Sequence, residues 1–190
     1  MRVTLNWLKE FVDIDIPVED LAERLTMVGL EVENLTRYDA GLGQVVVSHI
    51  TDILPHPHAE DLSLCWVVSG KNTYRVVCGA KNIRIGDKAP LALEGAVLPG
   101  PLRISGTTIK GEYSEGMLCS AAELGLGENK SGVYILPADM ESGLPLARAL
   151  EMEDYVLEIG LTPNRADCLS VLGIAREAAA ILHKKVRYPR

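Results

Sequence analysis

Leu62-Ser63-Leu64-Cys65-Trp66-Val67-Val68-Ser69-Gly70-Lys71-Asn72-Thr73-Tyr74-Arg75-Val76-Val77-Cys78 is the stretch whose reading decides the fold. Its two ends, Leu62 to Val68 and Tyr74 to Cys78, are rich in β-branched and aromatic residues, and Gly70-Lys71-Asn72 between them is a hairpin-type turn. Two short strands folded back on each other start a sheet. The same texture recurs outward: Val45 to Leu54 before the hairpin, then Ala89 to Leu93, Thr107 to Lys110 with Ser105-Gly106 as a turn, and Val133 to Leu136 as a last strand. Glycine and proline gather in Gly95 to Pro101, which suits the bends of a small closed barrel. Residues 40–150 therefore read as an all-β domain.

The two ends have a different pattern. Leu5, Leu8, Phe11 and Val12 share one helical face, with Thr4 or Asn6 placed to cap it. Pro17 opens a second helix at the first position and Glu19 and Asp20 suit its dipole. Leu21, Leu25 and Val28 continue its apolar stripe, and Gly29 supplies a left-handed stop. Leu30 to Leu35 and Tyr155 to Ile159 read as strands, Thr162-Pro163-Asn164 as a turn, and Asp167 as the N-cap of a helix running to about His183. Gly173 inside that helix costs about 1 kcal/mol relative to Ala, which implies the close approach of another backbone. Each end alone is too short to bury a core, while together they reach the size of a minimal domain. The expected fold class is α+β: a small split α+β domain, residues 1–39 plus 151–190, with a β-barrel inserted at 40–150.

Composition narrows the function. Of the 190 residues 47% are hydrophobic and 24% charged, and no apolar run approaches the ~18 residues of a membrane span, so no membrane partner is expected. Cys65, Cys78, Cys119 and Cys168 lie far apart with no Cys-x-x-Cys pair, which fits reduced thiols in a cytoplasm. The net charge of −7 argues against nucleic acid taken as a total. It is unevenly spread, however: residues 71–110 hold Lys71, Arg75, Lys81, Arg84, Lys88, Arg103 and Lys110 against only Asp87 and Glu94. Such a local patch steers a polyanion even on an acidic protein.

Catalytic patterns fail on inspection. Gly111-Glu112-Tyr113-Ser114-Glu115-Gly116 lacks the glycine two residues before serine that a nucleophile elbow needs. Leu124 to Ser131 ends like a phosphate loop, but Leu124 and Asn129 stand where its glycines belong. His56-x-His58 with Cys65 and Cys78 matches no zinc spacing. No catalytic residue and no metal ligand is assigned. A small barrel with a basic face is instead a platform for single-stranded nucleic acid and RNA loops. Stacking partners are scarce, Tyr74 and Tyr113 with His56 or His58 as substitutes, so recognition is expected to lean on phosphates and loop shape.

Four ordered blocks resemble the tRNA-binding domain shared by several synthetase-associated proteins: His56-Pro57-His58-Ala59-Glu60-Asp61-Leu62, Val77-Cys78-Gly79-Ala80-Lys81-Asn82, Gly95-Ala96-Val97-Leu98-Pro99-Gly100 and Ser114-Glu115-Gly116-Met117-Leu118-Cys119-Ser120. The first block departs from the family, which has Asn, Asp and Lys where this chain has His58, Glu60 and Asp61. The flanks Leu5-Asn6-Trp7-Leu8-Lys9-Glu10-Phe11-Val12, Met27-Val28-Gly29-Leu30-Glu31-Val32-Glu33 and Thr162-Pro163-Asn164-Arg165-Ala166-Asp167-Cys168-Leu169 are similar to the N-terminus of bacterial phenylalanyl-tRNA synthetase β subunits.

The resemblance implies a five-stranded oligonucleotide-binding (OB) barrel within the split domain, with tRNA as partner. It implies a role in a ligase whose aminoacylation centre, with ATP and magnesium, lies on a partnering α subunit, in a heterotetramer of two α and two β chains. This chain is expected to be non-catalytic and to need no cofactor of its own. The segment Val186-Arg187-Tyr188-Pro189-Arg190 shows no closing helix or cap, and the subunit is expected to continue well beyond residue 190. The loops that face the binding side in the family place the RNA-contacting residues at Lys81, Asn82, Arg84, Arg103, Lys110, Ser114 and Met117. The competing expectation is a structural scaffold with weak RNA contact or none.

Overall fold

Trp66 pairs with Arg75 and Val67 with Tyr74 across an antiparallel hairpin, as the alternation around Gly70 predicts. In the computed structural model, which describes residues 1–188, the elements begin with β1 (Arg2–Thr4), α1 (Leu5–Phe11), α2 (Val18–Met27) and β2 (Glu31–Tyr38). There follow β3 (Val45–His56), β4 (Ala59–Ser69), β5 (Asn72–Cys78), β6 (Lys88–Leu93), β7 (Val97–Leu98) and β8 (Leu102–Arg103). Then come β9 (Thr107–Ile109), β10 (Glu112–Ser114), β11 (Gly116–Leu118), α3 (Leu146–Ala149), β12 (Asp154–Gly160) and α4 (Val171–Ile181). Pro189 and Arg190, the end of the uncapped terminal segment, lie outside the described residues. Among the described residues no helix is long and apolar enough to cross a membrane.

The chain divides into two compact units, Asp39–Met152 and Met1–Tyr38 with the described residues from Glu153 on. In the first, β11, β6, β3, β4 and β5 form one five-stranded antiparallel sheet in that order. Two apolar clusters fill the unit, one around Leu42, Val45, Leu98 and Leu146, the other around Ile50, Val67, Val76 and Leu91. The outer edge of β5 is not left bare. Glu115 N–H donates to the Arg75 carbonyl at 2.9 Å, and Arg75 N–H donates to the Glu115 carboxylate at 2.6 Å. Val77 N–H donates to the Ser114 hydroxyl at 3.0 Å, so the last residue of β10 and the residue after it take up donors that an edge strand would otherwise expose.

Two expectations for this unit are corrected. Ser105-Gly106 is not the hairpin turn: the β9–β10 hairpin reverses at Lys110-Gly111, both with positive φ (51° and 94°), the twist a two-residue turn needs. Gly106 instead makes room for Tyr113, whose hydroxyl occupies the place a Cβ would take. Val133 to Leu136 is not a strand, and pairs with the sheet only at Leu136 opposite Lys88. Its backbone is shared among unrelated partners, Val133 bonding the Asn82 side chain, Tyr134 the Cys119 carbonyl and Leu136 the Lys88 carbonyl.

In the terminal unit β1, β12 and β2 form an antiparallel sheet with β12 central, and Leu8, Leu21, Leu25, Leu157, Ile174 and Ala175 share one core cluster. Thr4 caps α1, its hydroxyl accepting from Trp7 N–H. Pro17 stands one residue earlier than expected, as the N-cap of α2, where its carbonyl accepts from Leu21 N–H. Val28 is exposed at the C-cap and leaves the apolar stripe. Asp167 is not the cap of α4. It lies in a 3-10 turn (Ala166–Cys168), and Ser170 caps the helix by accepting from Gly173 N–H at 3.1 Å. The reason is the close approach at Gly173: a Cβ there would meet the Asp167 carbonyl oxygen, so residues 166–168 pack across the first turn of the helix and do not belong to it.

Candidate nucleic-acid interface

A groove of about 1250 Å³ opens on the Asp39–Met152 unit. Four segments build it: the end of β5 and the loop after it through Asn82, the run from Pro99 to Ile109, the run from Ser114 to Glu123, and Lys130 to Val133. Val77, Cys78, Ile104, Leu118 and Val133 belong to its buried apolar lining, with Met117 half-buried beside them. Lys81, Arg103 and Lys130 are exposed on it, and among the described residues none has a carboxylate within salt-bridge distance. Glu123 is the one acidic side chain in the lining, and it is turned on the protein's own donors. Its Oε2 accepts from Ser120 N–H at 2.6 Å and from the Ser120 hydroxyl at 2.7 Å, a capping box with Ser-x-x-Glu spacing. With three cations against this one carboxylate, the net charge of the lining is positive.

Of the residues predicted from sequence, the structure brings Lys81, Asn82, Arg103, Ser114 and Met117 to this groove and leaves Arg84 and Lys110 outside its lining. Arg84 lies in a turn closed by its own N–H on the Asp87 carboxylate, and Lys110 sits at the β9–β10 reversal. Ser114 is buried, and its hydroxyl is engaged by Val77 N–H and the Gly116 carbonyl. Lys130 was missed. Its signal lay in the Leu124 to Ser131 run that fails as a phosphate loop, and nothing local ties it to Lys81. Among the stacking candidates Tyr113 is exposed, whereas His56 is buried with its Nε2 against the Ile109 carbonyl and its Nδ1 accepting from His58 N–H.

Cys65 and Cys78 are buried on neighbouring strands, and hydrogen bonding between them, with burial, pushes the Cys65 thiol up. Burial also pushes Cys119 up to about 12. Among the described residues one group has the makings of a cation site, Asp167, Cys168 and Glu177. The Arg165 guanidinium already serves it, with Nη2 at 2.9 Å from Glu177, 3.1 Å from Asp167 and 3.0 Å from the Cys168 sulfur. Hydrogen bonding from Arg165 holds the Asp167 carboxyl down at about 2.

An antiparallel sheet whose outer strand is sealed, carrying an apolar groove rimmed by unpaired cations, has the surface of a nucleic-acid-binding β domain. The chain belongs to the tRNA-binding domain family: the family model described as "Putative tRNA binding domain" matches residues 45–145. Over its whole length it is 54% identical to the phenylalanine–tRNA ligase beta subunit of Geobacter metallireducens and 53% identical to that of Geobacter sulfurreducens. It spans 24% of each. A crystal structure of a MetRS-related protein from Pyrococcus horikoshii overlays 53% of this chain and 85% of that one at TM-score 0.39 and 20% identity, a likeness too loose to carry weight.

Proposed function

We propose that the chain is the N-terminal tRNA-binding and structural module of a phenylalanine–tRNA ligase β subunit, supporting aminoacylation of tRNA(Phe) without carrying the catalytic site. The observation that carries this reading is the groove with Lys81, Arg103 and Lys130 unpaired on it, inside the span the family model matches. These cations contact backbone phosphates, the half-buried Met117 meets a base or sugar, and Arg84 and Lys110 add to the field from outside. The bonds joining Ser114 and Glu115 to β5 support closure of the sheet into an OB barrel at 40–150, held within a domain made of 1–39 and 151–190. The parent enzyme is cytoplasmic, pairs two such β chains with two α chains, and uses ATP and magnesium on the α subunit.

Titration of a tRNA(Phe) transcript at several salt concentrations tests the reading, because each phosphate contact releases counterions. Lys81→Ala with Arg103→Ala is expected to weaken binding and flatten the dependence of log K on log salt by about two units. The control is Lys184→Ala with Lys185→Ala, in the other unit, where Lys184 is held by Asp15 at 3.1 Å. That pair removes the same charge and is expected to change little. If both pairs act alike, or if the parent chain shows no salt-sensitive binding, the scaffold reading replaces this one.

A further inference from the structure

We infer that Asn82 is a positioning residue, a latch that fastens the Lys130–Val133 segment to the turn after β5 and thereby holds Lys130 on the same groove as Lys81. The inference rests on the reading of that groove as the RNA surface. Asn82 Nδ2 donates to the Val133 carbonyl at 2.9 Å, and Val133 N–H donates to Asn82 Oδ1 at 3.1 Å. A side-chain amide thus pairs with one residue's backbone at two points, as a neighbouring strand would, for a segment that belongs to no ladder. An asparagine has the donor, the acceptor and the reach for this. Aspartate lacks the donor, and glutamine is one methylene longer.

Gly132 is an independent sign of the same device. A Cβ on it would lie 2.6 Å from the Asn82 Cγ and 2.9 Å from its Nδ2, and its φ of 152° is a conformation L side chains rarely adopt. The residue beside the latched backbone is thus the one type that leaves room for the amide. Lys130 lies two residues before it, unpaired and exposed. On its other side the Asn129 carbonyl accepts from Ala122 N–H at 3.1 Å, which ties the segment to the turn after Ser120, and the Asn82–Val133 pair, 51 residues apart, is what ties it to the turn that carries Lys81.

The latch makes a prediction that direct contact does not. A neutral side chain touching RNA adds affinity without releasing counterions, so its loss leaves the salt slope alone. A neutral side chain that positions a lysine flattens the slope when removed. Lys130→Ala is expected to reduce the slope by about one unit. Asn82→Ala is expected to match it, and the double variant to be no flatter than Lys130→Ala alone. Gly132→Ala keeps the Asn82 amide available to RNA and is expected to reproduce the loss. Amide exchange gives a readout without RNA: protection at Val133 N–H falls at least tenfold in Asn82→Ala and Gly132→Ala, while Tyr134 N–H, bonded to the Cys119 carbonyl at 2.9 Å, stays protected. Unchanged Val133 protection overturns the latch. An unaltered slope, or effects of Asn82→Ala and Lys130→Ala that multiply, overturns its role toward RNA. A parent chain with no salt-sensitive tRNA binding overturns the reading of the groove and the latch's role in it, while the exchange result still decides the latch itself.

Discussion

The Ser114 hydroxyl sits between two backbones, accepting from Val77 N–H at 3.0 Å and donating to the Gly116 carbonyl at 2.8 Å. Read locally, Ser114 is the middle of a failed nucleophile elbow or a contact for RNA. Its structural use appears only when β5 brings Val77 to it from 37 residues away. Because both partners are enclosed, Ser114→Ala strands a buried donor, and it is expected to lower stability by about 1–3 kcal/mol. Urea denaturation checks this through a lower midpoint at unchanged slope. The salt slope of tRNA binding is expected to stay as in the parent, since no cation is lost. Unchanged stability together with weakened RNA binding would instead make Ser114 a contact residue. Asn82 stands in the same relation to the sequence: its place beside Lys81 reads as a contact, and its bonds to Val133 become visible only in the folded chain.

At the scale of elements, α2 and α4 end in the same way with different residues. Leu30 N–H reaches the Leu25 carbonyl and Gly29 N–H the Thr26 carbonyl, with Gly29 at φ 90°. Lys184 N–H reaches the Ala179 carbonyl and His183 N–H the Ala180 carbonyl, with His183 at φ 53°. Both are Schellman stops, and only the first has the residue that adopts the left-handed turn without strain. Relief of that strain, about 1–2 kcal/mol, outweighs the added freedom of the unfolded chain, about 0.4–1 kcal/mol. His183→Gly is therefore expected to stabilise the terminal unit by about 0.5–1 kcal/mol. The urea midpoint read at Trp7 in a Trp66→Phe background measures it, and a fall in that midpoint would show that the imidazole makes a stabilising contact of its own. The Gly29 stop was readable because glycine announces it. The end of α4 near His183 was readable as well, but not that a histidine would take the left-handed position there, and the start of α4 was misplaced because the approach at Gly173 involves packing rather than local spacing.

For the whole molecule, the proposed division of labour makes catalysis silent in this chain. Magnesium-ATP, with or without phenylalanine, is expected to leave its melting temperature unchanged even at concentrations that would saturate an adenylating site, because a ligand that binds the native state must raise it. A clear ATP-dependent shift in a thermal melt would mean that the groove or another surface takes nucleotides. What the sequence determined by itself is local or additive: the hairpin around Gly70, the apolar face and Thr4 cap of α1, the Leu21–Leu25 face and Gly29 stop of α2, the basic excess of residues 71–110, and the ordered blocks that mark the tRNA-binding family. These depend on relations between residues a few positions apart, which propensity and periodicity encode. Tertiary structure alone decided which cations share a surface, admitting Lys130 and leaving Arg84 and Lys110 outside, and it decided that Val133 to Leu136 is pinned by scattered partners instead of pairing as a strand. The physical reason is that a groove is assembled from segments as far as 51 residues apart, as Asn82 and Val133 are, whose meeting is set by how the sheet packs and closes its edges, and no local pattern carries that distance.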